Sequence, residues 1–181
     1  MPEPIKYPLL DARYEKVRRE DNTVVDCTLL IAYGIMESGR RCVLGVSVEL
    51  SEAEVHWRKF LESLIARGIH GLKLIVSDNH VGLKAARMSV FPSVPWQRCQ
   101  FHLQQNATAH IPRKSMQQEV HNDIRDVFNM PTRSDAEIQL KKLIEKYGKT
   151  APDLSSWLEN ELPEGFTVFN VEPDSLNARR K

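Results

Sequence analysis

The sequence predicts an α/β fold whose mixed sheet is built in the order β-β-β-α-β-α-β and is followed by helices. Three observations predict it. A long β-prone run from Thr23 to Ile35 turns through Glu37-Ser38-Gly39-Arg40 into a second run from Cys42 to Leu50, the pattern of a hairpin. At Ser51-Glu52-Ala53-Glu54 the apolar spacing changes from alternating to helical. Leu72 to Ser77 is then an apolar, β-branched run that stops at Asp78, before a polar turn and a helix-favouring segment.

Taken in order, Ile5 to Leu10 reads as a short opening strand, with Pro8 limiting how centrally it can pair and Asp11 at its end or middle. Arg18 to Asn22 is a polar turn, so the opening strand and the two runs after it form an antiparallel meander. Ser51 with Glu54 is a capping box, and Trp57, Phe60, Leu61, Leu64 and Ile65 recur on one stripe until Arg67-Gly68. The strand ending at Asp78, a helix to about Phe91 and a strand from Pro95 to about Phe101 follow. Helices between strands imply parallel pairing with right-handed crossovers. Helices are expected over 114–128, 134–147 (opened by a capping box at Ser134 and Glu137) and 154–161, and the last stretch is polar.

The 181 residues, 41% of them hydrophobic, suffice for one core with an appendage. No apolar run would span a bilayer and no secretory signal opens the chain, which predicts a cytoplasmic protein without a membrane partner. Cys27, Cys42 and Cys99 have no framework spacing and read as reduced thiols. The net charge of +1 excludes little, but its distribution is uneven. Between Asn79 and Gln118 there is no acid, while Lys84, Arg87, Arg98, Arg113 and Lys114 fall in that window. That segregation suits a polyanion, and equally a solvated face balanced by acids elsewhere.

A carboxylate at the C-terminal edge of a strand stands where ligands collect in open α/β sheets, although an Asp there also serves as a helix cap. If the opening strand lies centrally, Asp11 and Asp78 face one site from adjacent parallel strands. Two such carboxylates form a hard-oxygen site suited to Mg²⁺ or Mn²⁺, cations that keep water and phosphate oxygens as their other ligands.

In this order, Leu10-Asp11-Ala12-Arg13-Tyr14-Glu15-Lys16-Val17-Arg18, Tyr33-Gly34 with Val43-Leu44-Gly45, Trp57-Arg58-Lys59-Phe60-Leu61, Val76-Ser77-Asp78 with Gly82-Leu83-Lys84-Ala85-Ala86, and Trp96-Gln97-Arg98-Cys99-Gln100-Phe101-His102 resemble the Mutator-type transposases of bacterial insertion sequences. The resemblance runs from about Leu9 to Pro112 and more loosely to Phe169. It implies an RNase H-like core of the DDE class over 1–112, a helical insertion over 113–170 and a tail over 171–181. The implied activity is Mg²⁺- or Mn²⁺-dependent cleavage and strand transfer at element ends, with double-stranded DNA and further transposase copies, full-length or of this chain, as partners. Asp11 and Asp78 match the first and second catalytic acids.

Cys99 and His102 match the family's Cys-x-x-His signature. Without a second ligand pair a structural zinc is not expected. Cys99 reads as a small apolar residue, and His102 either as a group near the scissile phosphate or as a satisfied core histidine. Arg98, Arg113 and Lys114 are candidate phosphate contacts. Trp157 could face flipped DNA, as in related transposases, but a packing role is the better fit. Against the full-length pattern, the region before the first acid is missing, and Asp174 is only a faint counterpart of the third acid, which the family sets in an Asn-x-x-Glu-Arg context. The resemblance therefore implies a chain truncated at both ends with negligible strand transfer of its own. The alternative is an inactive remnant that binds DNA or oligomerises.

Overall fold

A computed structural model describes residues 3–171, so Asp174 and nearly all of the expected tail lie outside the described residues. Strand β1 (Ile5–Arg18) pairs antiparallel with β2 (Val24–Met36), which pairs antiparallel with β3 (Arg41–Glu49). β1 is far longer than the opening strand expected from the sequence. Beyond Ala12 its residues are exposed, so no apolar alternation marks them, yet the register continues from Arg13↔Leu29 to Arg18↔Val24. The turn closing this arm is local: Asn22 adopts a positive φ of 64°, and the Asp21 carboxylate accepts from Thr23 N at 2.9 Å.

Helix α1 (Glu54–Ala66), strand β4 (Ile75–Ser77), helix α2 (Val81–Val90) and strand β5 (Trp96–Arg98) complete the order β-β-β-α-β-α-β. The five strands run β3-β2-β1-β4-β5 across the sheet. β1 is therefore central, and β4 pairs with it in parallel through Leu9↔Val76 and Leu10↔Ser77. Leu10, Leu30, Ala32 and Leu44 meet Trp57, Phe60, Leu61 and Leu64 of α1 and Leu83 and Ala86 of α2 in one buried cluster. Each such large side chain contributes roughly 1.5–3 kcal/mol by leaving water.

Local expectations are corrected at the start of α1 and at the end of β5. α1 begins at Glu54 with Ala53 at its N-cap and no side-chain cap. Ser51 instead accepts from Ala53 N at 3.4 Å, so it closes the turn ahead of the helix rather than boxing with Glu54. The strand expected to reach Phe101 ends at Arg98, because helix α3 (Gln100–Ala107) has already begun.

The chain divides into two compact units, the first running through Trp96 and the second beginning at Gln97, whereas the sequence set its boundary at 112. The second unit is helical. α3, α4 (Gln117–Phe128), α5 (Arg133–Tyr147) and α6 (Pro152–Glu161) bury Leu103, Ala107, Val120, Ile124, Leu140, Leu143, Leu154 and Leu158 together. α3 supplies Leu103 and Ala107 to that core, which is why it belongs with the helices. The cap of α5 is Thr132, whose hydroxyl accepts from Asp135 N at 3.1 Å and donates to the Asp135 carboxylate at 2.7 Å, in place of the expected Ser134 and Glu137 box. Among the described residues no helix is long and apolar enough to cross a membrane.

Candidate functional site

Asp11 and Asp78 each follow directly on the registered pair Leu10↔Ser77 of the parallel strands β1 and β4. Asp11 is still within β1 and lies opposite Ile31 of β2, while Asp78 is the first residue past β4. Alternation along β1 buries Leu10 against the α1 and α2 core, so Asp11 stands on the other side of the pleat, half-buried. Each carboxylate accepts from the next backbone amide: Asp11 Oδ1 from Ala12 N at 3.0 Å, and Asp78 Oδ1 from Asn79 N at 2.7 Å.

The ground beneath Asp78 is held by side chains. Ser77 Oγ donates to the Asp78 carbonyl at 2.8 Å and accepts from Trp96 Nε1 at 2.9 Å. Lys84 Nζ donates to Asn79 Oδ1 at 2.8 Å and sits 4.8 Å from the centre of the Trp96 ring. Trp96 is thus the platform on which the turn after β4 rests.

A second cluster borders this turn. Glu52, whose side chain is 10% exposed, places Oε2 at 3.4 Å from His80 Nδ1. Hydrogen bonding toward the Glu52 carboxylate holds the Tyr14 phenol above its usual range. None of the three stood out in the sequence, where Glu52 read as part of a helix start and His80 as turn polarity. The only signal was the nearness in sequence of Tyr14 to Asp11 and of His80 to Asp78.

Among the described residues no group of three or more His, Cys, Asp or Glu is set to hold a metal. What the sheet offers a cation is two carboxylates in consecutive register, a donor set that fits a hard ion retaining water and substrate oxygens. A concavity of about 620 Å³ on the first unit, lined by Leu9, Tyr33, Gly34, Ile35, Arg41, Cys42 and Val43, contains neither aspartate.

The remaining sequence candidates lie in the second unit. Arg98 is a correction: it is 6% exposed, and its Nη1 donates to Glu161 and, at 3.1 Å, to Glu164. A guanidinium buried and paired with two carboxylates is an internal tie and not a surface phosphate contact. The acid-free window is thinned further by Arg87, which is 8% exposed and lies 6.0 Å from the centre of the Trp96 ring in the first unit. Cys99, half-buried, is the N-cap of α3, and His102 lies in the helix's first turn with its ring against Phe101 at 5.5 Å. Arg113 and Lys114 are exposed at the single-turn helix that precedes α4. Trp157 packs on the helical core and stacks on His110 at 5.5 Å.

The sequence profile described as "Transposase, Mutator family" matches residues 3–178. The transposase for insertion sequence element IS406 of Burkholderia multivorans is 55% identical over 164 residues, covering 91% of this chain and 42% of that protein. The transposase for insertion sequence element ISRM5 of Rhizobium meliloti is 38% identical, covering 93% of this chain and 42% of that protein. This chain thus spans about two-fifths of the length of these relatives. Among solved structures, the Drosophila P element transposase strand transfer complex aligns at a TM-score of 0.41 and 11% identity over 84% of this chain and 48% of that one.

Proposed function

This chain belongs to the Mutator family of transposases, and we propose that it carries the RNase H-like portion of a DDE transposase, with Asp11 and Asp78 as two of the acids that hold Mg²⁺ or Mn²⁺. The observation that supports this reading best is the parallel register Leu10↔Ser77, with an aspartate following each of the two residues. The RNase H-like reading is further supported by a three-strand antiparallel meander whose first strand is central and is joined in parallel by β4.

The residues' own contributions follow from their positions. Asp11 and Asp78 present oxygen donors from rigid backbone, each oriented by an amide hydrogen bond, and Asn79 and Lys84 steady the turn that carries the second. A bound divalent ion supplies Lewis-acid polarisation of a scissile phosphate and a lowered pKa for an attacking water. The reaction proposed for the full-length relatives is hydrolysis at element ends, followed by attack of the freed 3′-hydroxyl on target DNA. A third acid, for which Asp174 is the sequence candidate, is outside the described residues. With these two carboxylates the chain is expected to bind Mn²⁺.

Double-stranded DNA is the proposed partner, met by the exposed Arg113 and Lys114 through its phosphates. Titration of the purified chain with Mn²⁺ tests the reading. Binding that Asp11→Asn and Asp78→Asn each weaken at least about tenfold supports it, and identical binding by wild type and both variants overturns it.

A further inference from the structure

The two aspartates are not held alike. Asp11 lies inside β1, where its neighbours Leu10 and Ala12 stay in register with Ala32 and Leu30 of β2. Asp78 lies one residue beyond β4, and the register of that short strand with β1 extends only over Leu9↔Val76 and Leu10↔Ser77. The backbone that carries Asp78 therefore relies on side chains, and the contacts found there meet at one indole.

Trp96 opens β5, which is set beside β4 by the bond from Ile75 N to the Pro95 carbonyl at 3.0 Å. Its Nε1 donates to Ser77 Oγ at 2.9 Å, and the buried Ser77 hydroxyl donates in turn to the Asp78 carbonyl at 2.8 Å. The ring face serves the other side of Asp78: Lys84 Nζ stands 4.8 Å from the ring centre and donates to Asn79 Oδ1 at 2.8 Å. Asn79 N orients the Asp78 carboxylate by donating to Oδ1 at 2.7 Å. The edge of one ring thus holds the residue before Asp78, and its face holds the residue after it.

Lys84 reaches this position from a closely seated helix. At Gly82, in the first turn of α2, a Cβ would stand 2.2 Å from the Glu52 carbonyl oxygen and 2.9 Å from Glu54 N. Backbone meets backbone there, and only glycine permits it.

We propose that Trp96 is a positioning residue: its indole N–H, through Ser77, and its ring face, through Lys84 and Asn79, fix the Asp78 carboxylate relative to Asp11. Its part is to hold a ligand and not to be one. This rests on the reading of the two aspartates as an ion-holding pair. Groups behind the ligands keep them in place, and their loss costs affinity without removing a ligand.

Mn²⁺ affinity measured by calorimetry on Trp96→Phe, together with amide hydrogen exchange, tests the link. Phe keeps an aromatic face and deletes the N–H, so affinity is expected to fall about tenfold, and exchange at 78–80 to quicken while exchange at 9–13 stays as in wild type. In an Asp78→Asn background Trp96→Phe is expected to change affinity no further, a result that general loosening of the sheet would not give. Should Trp96→Phe fail to fold, Ser77→Ala, which deletes the hydroxyl and adds no bulk, is expected to give a loss in the same direction. Wild-type affinity in the folded variants, or an equal loss with and without Asp78, overturns the proposal. If the wild type binds no Mn²⁺, the proposed function fails instead; faster exchange confined to 78–80 in Trp96→Phe then still supports the tie, and unchanged exchange there, or equal quickening at 9–13, overturns it.

Discussion

Leu10 of β1 lies opposite Ser77 of β4 in parallel register, and an aspartate follows each of them. One rung of backbone pairing thus relates two acids that stand far apart in sequence. The functional reading of the sheet depends on that rung, and the predictions below probe what surrounds it.

Arg98 is expected to stabilise the helical unit rather than to touch DNA. Removing the guanidinium in Arg98→Met leaves Glu161 and Glu164 facing each other without a cation. The cost should be about 2 kcal/mol, below that of a fully buried pair because both carboxylates are about one-third exposed. Thermal unfolding checks it, and an unaltered melting point would contradict the internal role.

Arg113 and Lys114 are expected to behave in the opposite way. Neutralising both should leave stability unchanged and lower the slope of log affinity for DNA against log salt by about 2, near one per phosphate contact. The same slope in Arg98→Met as in wild type would complete the contrast.

Gly82→Ala should destabilise the first unit by about 2 kcal/mol or more, since the added methyl meets backbone that cannot swing aside. Chemical denaturation measures the loss. A neutral result would mean that the β3–α1 turn moves freely, and the seat of α2 would have to be redrawn.

Glu3 should titrate near pH 2. Hydrogen bonds from Ser38, and then from Arg40, hold its carboxyl far below the usual range, with Ser38 N at 2.9 Å and Arg40 Nη2 at 2.8 Å. Because the folded-state value is the depressed one, the stability this carboxylate contributes is present above the ordinary carboxylate range and is lost as pH falls toward 2. NMR titration of the Glu3 carboxyl should find the low midpoint, and Ser38→Gly with Arg40→Ala should raise it.

Much of the architecture was legible because its signals are local. The hairpin runs, the α1 stripe from Trp57 to Leu64 and the abrupt stop at Asp78 each carry a periodicity or a break that survives without tertiary context. The outer half of β1 was not legible, since Arg13 to Arg18 are exposed and only their pairing with β2 makes them a strand. The start of α1 was misread because Ser51 and Glu54 have the spacing of a capping box, yet Ser51 spends its hydroxyl on the preceding turn. Arg98 was misread for a physical reason too. Its partners, Glu161 and Glu164, lie far along the chain, so a window without acids looked like a free cationic surface. The parallel pairing of β1 with β4 was inferred from the connections, whereas nothing in the sequence set Glu52 beside His80.

The most direct measurement is anomalous diffraction from a crystal soaked in Mn²⁺. A single peak within about 2.0–2.6 Å of one carboxylate oxygen from Asp11 and one from Asp78 is the predicted result, the range that hard cations keep from oxygen ligands. A peak bound by only one of the two, or ordered Mn²⁺ elsewhere on the first unit and none between them, would contradict the shared site.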